Sequence, residues 1–471
     1  MAKKHLNIIF IMADTVTSLA LGCYNSPFIK TPNIDSLAEK STLLKNHYQP
    51  ANMCRPSRLT WWTGRLPGST HVFNNGDEYD HRYPSILKYL KDAGYYGGFL
   101  GLFHAWEGFS REGLEDFEWI DFIADLPQAD ITRDQLEKQY DKHLSEVLQA
   151  FSPYKDDNLG EFHHGAGYTN DPLDKHLAVR LTQHAKSCVD DFKENAPNAL
   201  FVSHWIPHEP WITPKKYWDM YPLEDIVLPG NVYDDRKTRP SHHNTIGNVK
   251  SYEKLDGDED NLKRVWRAYA GNMTLIDDCV GELISHLKEK GLYDDALICF
   301  STDHGTTNGS HGWLHKGSSF MIDEISRIPF LIKAPQQEKG SRIEDLTNTI
   351  DFVPTALELL GLPFQETDGR SLVPHLDGTP IKNSKAYGQH GSGQNKPNES
   401  VRMLRKGKWK YSLYNAPGVE ELYDLEADPL ELQNIAPQQK EVVEELKKEL
   451  IEFLVTTKDP FYEWVKNNSG E

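Results

Sequence analysis

Leu6-Asn-Ile-Ile-Phe-Ile-Met12, followed by Ala13 and Asp14, is the stretch that decides the fold. Its β-branched and aromatic residues suit a strand. The apolar run is too short to cross a bilayer, which takes about 20 residues of helix. Met1-Ala-Lys-Lys-His5 gives it a basic start, as a signal peptide has, but no small-residue cleavage site follows. The run ends instead on a carboxylate, so it reads as a buried strand that delivers Asp14.

Working outward, the chain alternates helix-like and strand-like segments. The 31–43 stretch reads as a helix with a Thr-Pro start and Ile34, Leu37 and Ala38 on one face. A helix over 84–93 ends at Gly94, and a strand follows over 95–100. A short strand is expected over 199–203, and a long amphipathic helix over 262–290, stopped at Gly291. The strand 296–301 runs into a polar, Gly-rich loop. Another strand (329–334) and another helix (351–360) follow. Such alternation implies an α/β fold, a mostly parallel central sheet with helices on both faces. Beyond about residue 385 the character changes: 402–414 is basic and aromatic, suited to an antiparallel hairpin, and 441–454 is an amphipathic helix. The expected division is a catalytic α/β domain over 1–384 and a small C-terminal α+β subdomain with an antiparallel sheet over 385–471. The polar stretches 125–175 and 229–260 are expected to be irregular excursions near the mouth of the site.

The chain has 471 residues, with 70 acidic against 51 Lys and Arg, a net charge of −19. That excess argues against a nucleic-acid partner, which wants a basic face. No segment reaches membrane length, and the expected address is the cytoplasm. Cys23, Cys54, Cys188, Cys279 and Cys299 are odd in number and unclustered. They suit neither a disulfide framework nor a structural zinc site.

Two expected strands end in carboxylates, Asp14 and Asp303, and His304 follows directly. Ligands of open parallel sheets gather at the carboxyl ends of strands. Two carboxylates and an imidazole there can share a divalent cation; equally, strand-end aspartates cap the turn that follows.

The segment Cys54-Arg-Pro-Ser-Arg58-Leu-Thr-Trp-Trp-Thr-Gly-Arg65 adds a cysteine at the start of an expected helix, beside an arginine. A helix N-terminus with an adjacent Arg is an anion site. Cys-x-Pro-Ser-Arg followed by Thr-Gly-Arg resembles the signature of the type I, formylglycine-dependent sulfatases of the alkaline-phosphatase superfamily. The order Asp14, Cys54, His208, Asp303-His304, Lys316 follows that family's order. Glu421-Leu-Tyr-Asp-Leu-Glu-Ala-Asp-Pro resembles its C-terminal subdomain, so the likeness covers nearly the whole chain.

That resemblance implies an alkaline-phosphatase-like fold and a specific chemistry. Cys54 is expected to be oxidised to formylglycine by a formylglycine-generating enzyme and hydrated to a geminal diol. Asp14, Asp303 and His304, with residue 54, are expected to hold a metal that lowers the pKa of one hydroxyl. That oxygen attacks the sulfur of a sulfate ester in line with the leaving alcohol. His208 and Lys316 match the acid and electrostatic roles on the leaving group. His104 matches the histidine assigned to the step that re-forms the aldehyde and releases sulfate. Arg58 is expected to hold the formylglycine and screen the site's negative charge. Calcium is the expected ion, with Mn²⁺ or Mg²⁺ as alternatives.

Three further residues are candidate substrate contacts: Asn75 in Phe73-Asn-Asn-Gly, His311 in Gly-Ser-His-Gly, and His390 in Tyr-Gly-Gln-His-Gly. Asn75 resembles a pocket asparagine of the choline-sulfatase and phosphonate-monoester-hydrolase branches. His204, Trp61 and Trp62 read as structural. Trp106 and Trp211 can stack on a sugar, though packing is the default for an aromatic.

Two departures matter. Most members carry a second Asp where this chain has Thr15, so one charge is missing and a hydroxyl or carbonyl takes its place. Leu102 stands where the family motif Gly-Lys-x-His has lysine, so either another cation, Arg55 or Arg65, or the substrate's own supplies the charge, or activity is low. Leu102→Lys is expected to raise turnover of a generic aryl sulfate manyfold; no change would show that another residue already fills the role.

The function expected is a sulfuric ester hydrolase acting on a small sulfated sugar, aryl or alkyl ester. The alternative on the same site is a phosphonate monoester or phosphodiester hydrolase. A third reading, an idle anion-binding protein, rests on Leu102 alone.

Overall fold

The computed structural model describes residues 6–80, 82–103, 118–120, 159–163, 165–244, 250–251, 258–394 and 397–468. His104 and Trp106 lie outside the described residues. The strand Asn7–Ala13 is buried along its whole length. Ile9, Ile11 and Ala13 belong to one hydrophobic core, while Ile8, Phe10 and Met12 belong to another. A strand's side chains alternate between faces, so each face of the sheet feeds its own core and no polar alternation is left in the sequence.

The sheet has eight strands. Their order is Ser341–Asn348, Thr42–Tyr48, Phe330–Lys333, Ala296–Thr302, Asn7–Ala13, Asn198–His204, Tyr96–Gly101 and Glu118–Ile120. All run parallel except Phe330–Lys333, which is antiparallel to both neighbours. On one face lie the long helix Glu259–Glu289 and Leu177–Asp190. The other carries Cys54–Thr63, Ile86–Asp92 and Phe352–Leu359, with Trp61 and Trp62 wholly buried.

The expected helix over 31–43 is corrected: the helix is Pro32–Ala38, and Thr42–Tyr48 is a strand inside the sheet. Lys45 is exposed and Asn46 partly so, and this polar break hid the strand's apolar pattern. The 125–175 stretch is not wholly irregular, since Leu159–His163 pairs with Ala166–Thr169, and the latter with Trp211–Pro214.

A second sheet is antiparallel throughout: Lys385–His390, Val401–Lys406, Trp409–Tyr414 and Glu420–Asp424. The helix Lys440–Thr456 packs Leu446, Leu450 and Leu454 into its core with Leu404, Tyr411 and Leu422. Among the described residues no helix is long and apolar enough to cross a membrane.

Candidate active site

Four neighbouring parallel strands bring their carboxyl ends to one place. Ala13 stands opposite Thr302 on one side and His204 on the other. Strands lie about 4.8 Å apart, so Asp14 and Asp303, each one residue further on, are adjacent. Both are fully buried.

Cys54 opens the helix Cys54–Thr63, all of whose residues are buried. The helix dipole therefore aims its positive end at residue 54. Lys316 Nζ donates to Cys54 Sγ at 2.9 Å, and His304 Nε2 lies 3.2 Å from the same sulfur. His304 Nδ1 donates to the Gly305 carbonyl at 2.9 Å, so Nε2 is the nitrogen that faces Sγ. Lys316 also meets His208 Nε2 at 3.0 Å, and His208 Nδ1 donates to the Glu209 carbonyl at 2.7 Å.

Arg58 lies one helical turn behind Cys54. Its Nε donates to Asp303 Oδ2 at 3.0 Å and its Nη2 to Asp14 Oδ2 at 2.9 Å. Its Nη1 donates to Ser203 Oγ at 2.9 Å and to the Leu102 carbonyl. The guanidinium thus ties the two carboxylates together, a task its planar fork suits better than an ammonium would. The same contacts screen the site's negative charge, and the charge of Cys54 also acts on the guanidinium. Ser57 Oγ donates to the Asp303 carbonyl from the same helix turn.

The electrostatics follow from burial and charge. Burial raises the Asp14 carboxyl above its ordinary range, and the charges of Asp303 and Cys54 raise it further. Asp303 is lowered: burial opposes this, but His304 and Arg58 outweigh it. Burial also works against the His208 cation, yet Glu209 and Asp14 hold it up, to about 9. Lys316 is raised too, against burial, by Cys54 and Asp14.

Asp14, Cys54, Asp303 and His304 are the candidate metal set, and their donor atoms all lie within 4.8 Å of one another. The set fits a divalent cation. It joins hard oxygens to an imidazole whose Nε2 faces inward, and Asp14 carries repulsion that a cation relieves. Thr15 stands at the position of the missing carboxylate. Its hydroxyl donates to Asp14 Oδ1 at 2.5 Å, its N–H to Asp303 Oδ1 at 3.1 Å, and its carbonyl accepts from Tyr269. It braces both carboxylates.

The three candidate substrate contacts each have partners within the protein. His311 is fully buried, with Nδ1 at 2.7 Å from Asp234 and Nε2 at 3.0 Å from Asn231 Nδ2, and Arg239 beside both nitrogens. This closed polar cluster, not the thiol, is its environment. Asn75 Oδ1 accepts from the Arg55 N–H at 3.0 Å, and its carbonyl from Arg55 Nη1 at 2.9 Å, so it clamps the residue next to Cys54. His390 is buried against the Phe73 backbone, and its carbonyl accepts from Arg402 at 2.9 Å. Arg65 turns to Asp368 at 2.9 Å and stacks on Tyr83, so it cannot replace the missing lysine. Lys316 Nζ and His304 Nε2 contact the thiol, and the charges of His208 and Arg58 act on it too. Trp211 is buried and stacked on His315.

Sequence reasoning missed Glu209, His315 and Ser203. Glu209 stands beside His208 in the chain, but adjacency says nothing about what a carboxylate reaches.

A profile of the sulfatase family matches residues 6–362, and one described as N-sulphoglucosamine sulphohydrolase, C-terminal, matches residues 309–456. A choline-sulfatase of Rhizobium meliloti is 31% identical over 442 residues, covering 91% of this chain and 82% of that protein. The structure of the phosphonate monoester hydrolase of Agrobacterium radiobacter superposes with a TM-score of 0.78 at 22% identity, covering 96% of each chain. A 2-O GAG sulfatase superposes with a TM-score of 0.76 at 21% identity, covering 98% of this chain and 94% of that one.

Proposed function

This chain belongs to the sulfatase family and is a sulfuric ester hydrolase, and we propose that it cleaves a small sulfate monoester using formylglycine made from Cys54. The observation that supports this best is Cys54 itself. It is buried at a helix start, 2.9 Å from Lys316 Nζ and 3.2 Å from His304 Nε2, within the reach of two carboxylates.

Asp14, Asp303, His304 and residue 54 would hold the cation, Ca²⁺ in our reading with Mn²⁺ or Mg²⁺ as alternatives. When bound, it supplies Lewis acidity to the nucleophile and offsets the carboxylates. Arg58 holds Asp14 and Asp303 at a fixed spacing and neutralises part of their charge. Lys316 and His208, which touch each other and face residue 54, meet the leaving side of the ester. As the S–O bond breaks, the leaving oxygen takes a proton from His208 while Lys316 offsets the remaining charge. His104, assigned to sulfate release by the family likeness, completes the set. Formylglycine provides a release route through C–O cleavage that a serine or thiol lacks. We assign these residues to the domain 1–384, with 385–471 as a subdomain, and expect maturation by a formylglycine-generating enzyme.

Thr15 keeps a second reading in play: a site with one carboxylate fewer suits a phosphonate monoester or phosphodiester hydrolase. Paired kcat/KM values on an aryl sulfate and an aryl phosphonate monoester decide between them. The sulfate is expected to be favoured by at least about tenfold, or ~1.4 kcal/mol; the reverse preference would sink the sulfatase reading. Mass spectrometry of the Cys54 peptide from active enzyme should show an aldehyde oxygen in place of the thiol. Dialysis against a chelator is expected to lower kcat by at least about 100-fold, and added Ca²⁺ to restore it.

A further inference from the structure

Two chain segments supply the leaving-group residues. One carries His208, Glu209 and Trp211; the other carries His315 and Lys316. Resting on the sulfate-ester reading, we propose that Glu209 is a positioning residue that, with Trp211, locks His315 and so holds His208 and Lys316 together against residue 54.

Glu209 is the group that reaches both segments. Its Oε1 lies 3.0 Å from His315 Nδ1 and its Oε2 3.5 Å from His208 Nδ1. Its carbonyl accepts from that same His208 nitrogen at 2.7 Å. The opposite edge of the His208 ring, Nε2, meets Lys316 Nζ at 3.0 Å. The carboxylate therefore sits behind the pair, on the side away from residue 54. Its side chain is 28% exposed, while Cys54 is 3% exposed. Glu209 acts through other residues and not on the reacting atoms.

His315 shows why such a brace is needed. It has φ 72°, in the left-handed region that β-carbon-bearing residues avoid. A conformation of this kind persists only where the surroundings over-determine it. Trp211 stacks on the His315 ring with centroids 4.9 Å apart and planes 12° apart, which fixes the ring plane. Glu209 Oε1, 3.0 Å from Nδ1, stands against that edge of the ring. Lys316 is the next residue, so relaxation of His315 toward ordinary backbone angles would carry the ammonium off residue 54 and off His208.

A positioning role predicts a loss that depends on the leaving group. Glu209→Gln in the full chain is assayed on para-nitrophenyl sulfate, whose phenolate leaves unaided, and on a simple alkyl sulfate, whose alkoxide needs a proton. Conversion of residue 54 is verified by mass spectrometry. kcat on the alkyl ester is expected to fall by about 100-fold and on the nitrophenyl ester by about threefold or less, with KM little changed. His315→Asn is expected to give the same split. Asparagine tolerates positive φ, so this variant keeps the backbone and loses the brace, and it decides the matter by the same criterion if Glu209→Gln does not fold. Equal losses on both esters, losses confined to KM, or no loss would overturn the inference while leaving the sulfatase reading intact. A converted wild type that turns over neither ester would overturn that reading and this inference with it.

Discussion

Cys54→Ala is expected to lower kcat on a sulfate ester by on the order of 10⁵-fold while leaving the fold in place. Residue 54 contacts the groups on both sides of the proposed reaction: His304 of the metal set at 3.2 Å and Lys316 of the leaving-group pair at 2.9 Å. Removing it takes away the nucleophile, and no other thiol is placed to substitute. Cys188, Cys279 and Cys299 are buried in the cores, and Cys23 is in contact with Asp35. Stability should change little, because truncating a small side chain leaves a small cavity. Single-turnover kinetics and a thermal melt check both halves. A residual kcat within about tenfold of wild type would mean that the nucleophile lies elsewhere.

Arg58→Met is expected to destabilise the protein by about 3–5 kcal/mol and to abolish activity. The guanidinium is wholly buried and bonded to two wholly buried carboxylates, at 3.0 Å to Asp303 and 2.9 Å to Asp14. Methionine fills similar space but leaves both carboxylates without this cation, the Leu102 carbonyl without this donor, and Ser203 without this partner. Arg58→Lys should recover little, since one ammonium cannot span both carboxylates in the same plane. Asp14→Asn added to Arg58→Met should recover part of the stability and none of the activity, because it removes a stranded charge and a proposed metal ligand at once. Denaturant midpoints and kcat measure these effects. A cost below about 1 kcal/mol for Arg58→Met would show that solvent or another cation already screens the carboxylates.

The parts of this molecule that were legible in the sequence are local. The apolar run Ile8–Met12 announces a strand because its neighbours on both faces are apolar, and the carboxylate after it lies at the strand's end by covalent connection alone. Cys54, Ser57 and Arg58 fall within one helical turn, so their shared direction follows from spacing. The strand Thr42–Tyr48 was hidden because its outward residues Lys45 and Asn46 broke the pattern. The sequence around His311 does not show its partners Asp234, Asn231 and Arg239, which lie more than 70 residues away in the chain.

The sequence by itself determined the strand–helix alternation, the carboxylates at two strand ends, and the cysteine at a helix start with an arginine one turn on. Only the tertiary structure decided which of these meet. It set Asp14 beside Asp303 through sheet order, turned Arg58 onto both, made Thr15 a brace for the carboxylates, and brought Glu209 and Trp211 onto His315. The physical reason is range. Periodicity and connectivity fix how a side chain points from its own element, within a few residues. Contacts between groups more than 100 residues apart depend on how strands register and helices pack, and that is settled only when the whole core is buried at once.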